Sequence, residues 1–336
     1  MATETVLIIG GTGTQGIPIV KALTSDGKYA VRVITRNAAS SDAQVLAKLP
    51  GVTIVEGNCY DEPTLRNILP GVDRVFANTN GHALGEMAEI YWGIRLYELS
   101  REFGVKHFVY ASLPYVTKLG NFNDKYQAGH CDGKAKVTEF ISAQPTSPMA
   151  WSIITSCLYM ESLSEFLVPI YEPRDDVHVF ALPLGQGRCP MISLDDNAAY
   201  IRWTLDNPSQ SNGRNLDVVT ESVTGDELAA AFSKVTGKKS VYKDISLDEY
   251  FSLPVFSDPE AKVGASGASA ANTLLTVRKN FSGLWNSWKD ELWEGDYEVL
   301  DRVLPTRFKS VEEWMRKTGY TGKAAPLLKT LKMAKK

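Results

Sequence analysis

The sequence predicts an α/β chain: a doubly wound parallel sheet followed by a smaller, mixed α/β domain. Three observations predict it. An apolar run, Val6-Leu7-Ile8-Ile9, leads directly into a glycine turn, Gly10-Gly11-Thr12-Gly13-Thr14-Gln15-Gly16. Short strand-like runs then alternate with helical patterns as far as Thr155. Beyond Thr155 the alternation loosens, and Pro169, Pro173, Pro183, Gly185, Gly187 and Pro190 punctuate loops and short strands. Strands separated by helices form parallel sheets that carry ligands at the strands' C-terminal ends.

The first unit is the most informative. Residues 6–9 are too few for a globular helix and apolar without alternation, the pattern of a strand covered on both faces. Ile17 to Leu23 reads as a helix with Pro18 in its first turn, where no backbone N–H is needed. Residues 30–36 form a second strand. Strand, glycine turn, helix and strand within about thirty residues make the Rossmann-type unit that binds a dinucleotide pyrophosphate. Gly10, Gly13 and Gly16, spaced G-x-x-G-x-x-G, let phosphates approach the main chain and let helix and strand pack closely. The helix N-terminus adds free N–H groups and a positive dipole end.

The end of the second strand bears on the nucleotide. An acidic residue there accepts hydrogen bonds from the ribose hydroxyls of NAD. This chain has Thr35-Arg36-Asn37, with no carboxylate before Asp42. A guanidinium suits a 2′-phosphate, so NADP(H) is favoured over NAD(H). The alternative is that Arg36 stacks on adenine or is only solvated.

The alternation continues. Residues 38–49 are a polar-faced helix or loop, 52–58 a third strand, 62–69 a helix and 74–78 a fourth strand. Residues 86–103 carry Met87, Ile90, Ile94, Leu96, Tyr97 and Leu99 at helical spacing, and Gly104 ends that helix. Residues 107–112 are a fifth strand, 133–142 a helix and 151–155 a sixth strand. Residues 1–155 are therefore expected to form the nucleotide-binding domain and 156–336 the smaller substrate domain, with elements around 190–220 free to return to the first. In the second part, residues 196–205 and 224–236 read as helices, the latter capped by Thr224 with Glu227 three residues on. Residues 215–219 and 239–242 read as short strands, 264–270 as a small-residue mobile loop and 323–336 as a basic, solvated tail. Leu284, Trp285, Trp288, Leu292 and Trp293 form an aromatic face expected to pack the small domain onto the main one.

Composition excludes several classes. The chain has 336 residues, 44% hydrophobic and 22% charged, with a net charge of −3, which gives no electrostatic footprint for nucleic acid. No run is long enough to span a bilayer. Cys59, Cys131, Cys157 and Cys189 lie far apart, and neither they nor His82, His107 and His178 show metal-ligand spacing, so no metal site is expected. Scattered thiols and the lack of a signal-peptide pattern in residues 1–5 lead to the expectation of a cytoplasmic protein.

The glycine turn, Thr79-Asn80, the run from Val105 to Leu113 and His130-Cys131-Asp132-Gly133-Lys134-Ala135-Lys136-Val137 together resemble the NmrA-like family. Its members are atypical short-chain dehydrogenases/reductases. The resemblance runs to about residue 160, and more loosely through Gly225-Asp226-Glu227-Leu228 and Val311-Glu312-Glu313-Trp314. It implies either an NAD(P)H-dependent reductase of small molecules or a redox-sensing regulator that binds the nucleotide without turnover and acts on a protein partner. Gly10, Thr12, Gly13, Thr14, Gln15, Gly16, Arg36, Asn58, Thr79, Asn80 and Lys134 are the implied nucleotide contacts. Asn58 stands where the family often has an aspartate near adenine.

Ordinary short-chain dehydrogenases carry Tyr-x-x-x-Lys, whose lysine binds the nicotinamide ribose and lowers the tyrosine pKa. Here the matching pair is His130 and Lys134, which meet if both lie on one helix. Histidine titrates near neutrality, so His130 is the expected general acid, with Tyr126 and Tyr115 as spare phenols and Ser112 at the strand end. After the sixth strand the family often has an aromatic followed by Glu-Asn. Tyr159-Met160-Glu161-Ser162 keeps the Glu and loses the Asn, leaving Tyr159 and Met160 as expected pocket walls.

Overall fold

The computed structural model of the chain describes residues 3–264 and 274–325. In chain order the strands are β1 (Glu4–Ile9), β2 (Tyr29–Thr35), β3 (Val52–Glu56), β4 (Arg74–Ala77), β5 (His107–Ser112), β6 (Ala150–Thr155), β7 (Leu158–Tyr159), β8 (Ile170–Glu172), β9 (Val177–Leu182), β10 (Cys189–Ile192), β11 (Arg214–Asp217), β12 (Glu221–Val223) and β13 (Ser240–Asp244). β1 shows why the main sheet is buried. Val6 and Ile8 enter one apolar cluster while Leu7 and Ile9 enter another, and all are fully buried. Successive side chains point to opposite faces, so helices must cover both. Each such side chain contributes about 1.5–3 kcal/mol on burial.

The main sheet has seven strands in the order β11-β6-β5-β4-β1-β2-β3, and its neighbouring pairs are all parallel. The order reverses at β1, between β2 and β4. That switch point opens a crevice beyond the C-terminal ends of β1 and β4.

Three helices place the site. The Gly16–Thr24 helix follows the glycine turn. The Glu86–Glu102 helix packs along the Gly129–Ser142 helix. This last helix starts before Gly133, and so carries both His130 and Lys134 on successive turns. Asp132 in its first turn fixes that start: its carboxylate accepts the Ala128 N–H at 3.2 Å and the Thr117 N–H at 3.1 Å.

After β10 the chain returns to the main sheet. The Leu194–Asp206 helix packs on the Gly16–Thr24 helix, burying Ala198, Tyr200, Ile201 and Leu205 in the same cluster as Val6, and β11 pairs with β6. The smaller part comprises two three-stranded sheets, β12-β10-β7 and β13-β9-β8, around Met160, Phe180, Phe232, Tyr250 and Trp285. The Gly225–Thr236 helix has the expected cap: Glu227 N–H donates to Thr224 Oγ1 at 3.1 Å and Thr224 N–H to Glu227 Oε2 at 2.9 Å. Of the small-residue stretch 264–270, all but Gly264 lies outside the described residues, as does the tail from residue 326.

Candidate active site

One cavity of about 860 Å³ lies over the switch point, within the range of small-molecule sites. Its lining includes Gly10, Thr12, Gly13, Thr14 and Gln15 of the turn, Arg36, Asn58, Thr79, Asn80, Ser112, His130, Lys134 and Tyr159. The turn is built for close approach. Gly10 has φ +80°, and a Cβ there would lie 2.6 Å from Asn78 O. A Cβ on Gly16 would lie 2.2 Å from Gly10 O and 2.5 Å from Gly11 Cα, so Gly16 packs the helix onto the turn rather than lining the cavity. Gly13 N–H donates to Gly10 O at 3.0 Å, closing the loop. Gln15 is buried, and its Nε2 has no hydrogen-bond partner. An orphaned donor beside a glycine turn at a helix N-terminus fits a pyrophosphate.

Around the rest of the nucleotide-type end, Arg36 is exposed just past β2, beside Thr35, Asn37 and Ser40. Asn58 uses Oδ1 to accept the Tyr60 N–H at 3.1 Å. Asn80 caps the Gly81–Leu84 helix, its side chain accepting the Ala83 N–H at 3.2 Å, while its own N–H donates to Tyr60 Oη at 2.8 Å.

Lys134 is 7% exposed and held from four directions. Its Nζ lies 3.0 Å from Glu89 Oε1 and donates to Thr79 Oγ1 at 3.0 Å, Ala111 O at 3.3 Å and Asn78 Oδ1 at 3.5 Å. Glu89 is fully buried, and Tyr110 Oη donates to its Oε1 at 2.8 Å, as does the Thr79 hydroxyl. Thr79 therefore serves this network as well as the cavity wall.

His130 differs from expectation. Its ring stacks on His82 at 4.6 Å between centroids and lies 5.5 Å from Phe281. Burial pushes its pKa down to about 4, with the nearby Lys134 charge acting in the same direction. His82 is pushed down to about 3, chiefly by burial, with His130 and the Lys134 charge nearby acting in the same direction. Lowered pKa values favour the neutral form of both rings near pH 7, a charge state unlike the imidazolium acid that the spacing of His130 suggested.

The other expected groups divide. Tyr159 lines the cavity, and burial pushes its phenol well above the usual range. The Ser112 hydroxyl faces its own support: it accepts from Thr138 Oγ1 at 2.7 Å and donates to Leu113 O at 3.3 Å. Tyr126 is turned away and donates to Asp290 Oδ2 at 2.7 Å. Tyr115 packs edge-on against Phe122, and Met160 is fully buried in the second core. The expectation of Tyr126 and Tyr115 as spare phenols and of Met160 as a pocket wall is thus corrected, since none of the three lines the cavity. The aromatic face on the Val277–Lys289 helix does more than pack domains, because Phe281, Leu284, Trp285 and Trp288 also line the cavity. Among the described residues no group of His, Cys, Asp and Glu could hold a metal, and no helix is long and apolar enough to cross a membrane.

The sheet order and the glycine turn opening on one cavity define a Rossmann-type protein. The chain belongs to the NmrA-like family, whose model matches residues 2–299. It is 28% identical over 264 residues to the NmrA-like family domain-containing oxidoreductase himF of Aspergillus japonicus, covering 72% of this chain and 76% of that one. It is also 28% identical over 245 residues to an NAD(P)H azoreductase of Xenophilus azovorans, covering 73% and 78%. Its fold matches the crystal structure of NmrA, a negative transcriptional regulator, in complex with NADP, with a TM-score of 0.72 at 15% identity over 94% of this chain and 95% of that one.

Proposed function

We propose that this chain is an NADP(H)-dependent oxidoreductase that reduces a C=O, C=N or activated C=C bond of an apolar small molecule. The observation that carries the reading is the continuity of the cavity over the switch point. The cavity is lined by the glycine turn and Arg36, by the Lys134 ammonium, and by an aromatic wall of Phe166, Phe281, Trp285 and Trp288. The backbone of Gly10 and Gly13, with Gln15, would hold the pyrophosphate, Arg36 the 2′-phosphate and Lys134 the nicotinamide ribose. The bound nucleotide supplies hydride. Lys134 orients the ribose by donating hydrogen bonds, and the aromatic wall excludes water and holds a flat, apolar acceptor. Neutral His82 and His130 extend that wall. With both imidazoles unprotonated, the reading favours conjugated acceptors that disperse the developing charge until solvent supplies a proton.

The two enzyme relatives support the reaction class. The test is NADPH absorbance followed across ketones, enones, cyclic imines and an azo dye, with consumption expected for at least one conjugated member. Tight NADPH binding with no acceptor reduced would instead favour a non-catalytic, nucleotide-sensing regulator that binds a protein partner.

A further inference from the structure

We propose that Glu89 is a positioning residue: its carboxylate pairs with the Lys134 ammonium and aims it into the cavity, so nucleotide binding depends on a side chain outside the cavity wall. The inference rests on the reading of Lys134 as the ribose contact. Glu89 comes from the Glu86–Glu102 helix, is fully buried, and places Oε1 3.0 Å from Lys134 Nζ. Oε1 also accepts the Tyr110 hydroxyl at 2.8 Å and the Thr79 hydroxyl, while Oε2 is buried with no partner. A carboxylate removed from water persists only when paired, and removing one member of such a pair strands the other.

The titratable groups facing this pair come from several elements: Tyr60 and Tyr110, Cys59 and Cys131, His82 and His130. Burial drives the phenols and thiols up and the imidazoles down, so all six are uncharged near neutrality. Among the described residues the ion-pair partner of Lys134 is Glu89. A buried ammonium that loses its counter-charge gives up its proton more readily. An uncharged amine is the weaker donor to a ribose hydroxyl.

A purely structural role must be separated, because Glu89 lies on the seam of two closely packed helices. A Cβ on Gly93, one turn along, would be 2.6 Å from Val137. The experiment is NADPH affinity by calorimetry from about pH 7 to about pH 9, well below the ordinary lysine range. Wild type and Glu89→Asp, which keeps the charge, should hold their affinity across the range. Glu89→Gln should lose affinity as pH rises, by up to about tenfold per unit. Glu89→Gln/Lys134→Met, with both charges gone, should bind weakly and without that pH dependence.

A Glu89→Gln profile parallel to wild type, even at lower affinity throughout, overturns the inference alone. If Glu89→Gln does not fold, folding of the double variant supports the pairing, and its failure to fold assigns Glu89 a structural role and overturns it. Wild type that fails to bind NADPH at any pH overturns this inference together with the reading of Lys134.

Discussion

Replacing His130 by Phe tests whether this site uses a histidine acid. The structure packs the ring against both His82 and Phe281, and burial drops its pKa from the ordinary 6.5 to about 4. Near pH 7 that leaves roughly one ring in a thousand protonated, a gap of about 4 kcal/mol against donation from imidazolium. The sign follows: imidazolium accumulates only as pH falls toward 4, so a histidine acid would make the rate climb steadily with acid throughout the neutral range. The expected result is different. Wild-type kcat with a conjugated acceptor should be level from about pH 6 to about pH 8, because the ring does not titrate there. His130→Phe preserves the aromatic stack, so NADPH affinity should hold and kcat should fall by less than about tenfold. A positioned acid is worth about 10²–10⁴-fold. A loss of that size, together with disappearance of a falling limb near pH 6.5, would refute the reasoning.

Three further outcomes are expected. NADPH should bind more tightly than NADH, and Arg36→Ala should remove most of the difference, about tenfold to a hundredfold for one charge-assisted contact. Equal wild-type affinities by calorimetry would contradict this. Gly16→Ala puts a Cβ 2.2 Å from Gly10 O, a backbone clash that no rotamer relieves. It should cost about 1–3 kcal/mol, lower the melting temperature by about 2–4 °C per kcal/mol and weaken NADPH binding, whereas unchanged melting and affinity would count against the packing argument. Burial pushes the Glu161 carboxyl up to about 7, and its oxygen accepts the Leu194 N–H at 3.1 Å. Its folded pKa is raised, so its stabilisation is complete below about 4.5 and is lost as pH rises through 7, by at most roughly 3 kcal/mol. Glu161→Gln keeps the acceptor without the charge and should melt higher than wild type at about pH 8, with a smaller difference at about pH 5; a lower melting point at about pH 8 would contradict it.

How much of this was legible in the sequence differs by element. Strand, glycine turn and helix were legible because each has a local cause: four consecutive apolar residues covered on both faces, and glycines where Cβ atoms have no room. The place of Arg36 in the cavity wall was legible because it follows directly on the end of β2. The spacing of His130 and Lys134 was legible too, but not the environment of the ring. Burial lowers the pKa of His130, and one of the rings packed on it, Phe281, comes from about 150 residues away in sequence, which no local pattern encodes.

The Glu86–Glu102 helix, found where its apolar spacing predicts, shows where pattern reading misses part of a buried face for a physical reason. Its apolar spacing began at Met87, which is 66% exposed. The buried seam keeps Leu96, Tyr97 and Leu99 of that pattern but also takes in Glu89, Gly93 and Ser100, a stripe with a carboxylate and a glycine in it. Apolar periodicity finds faces that bury hydrocarbon. This face buries an ion pair against Lys134 and a close helix crossing against Val137, so its signal is weak in hydrophobicity although its burial is complete. The feature that would have exposed it is the combination rather than either residue alone. Glu89 and Gly93, four apart, put an acid and a gap on one helical stripe, and Lys134 and Val137, three apart, put a base and a branched side chain on another. Two such stripes fit only when the helices pack at the register that joins Glu89 to Lys134. The charge that an apolar-seam reading discards is therefore the one that fixes the ammonium at the cavity.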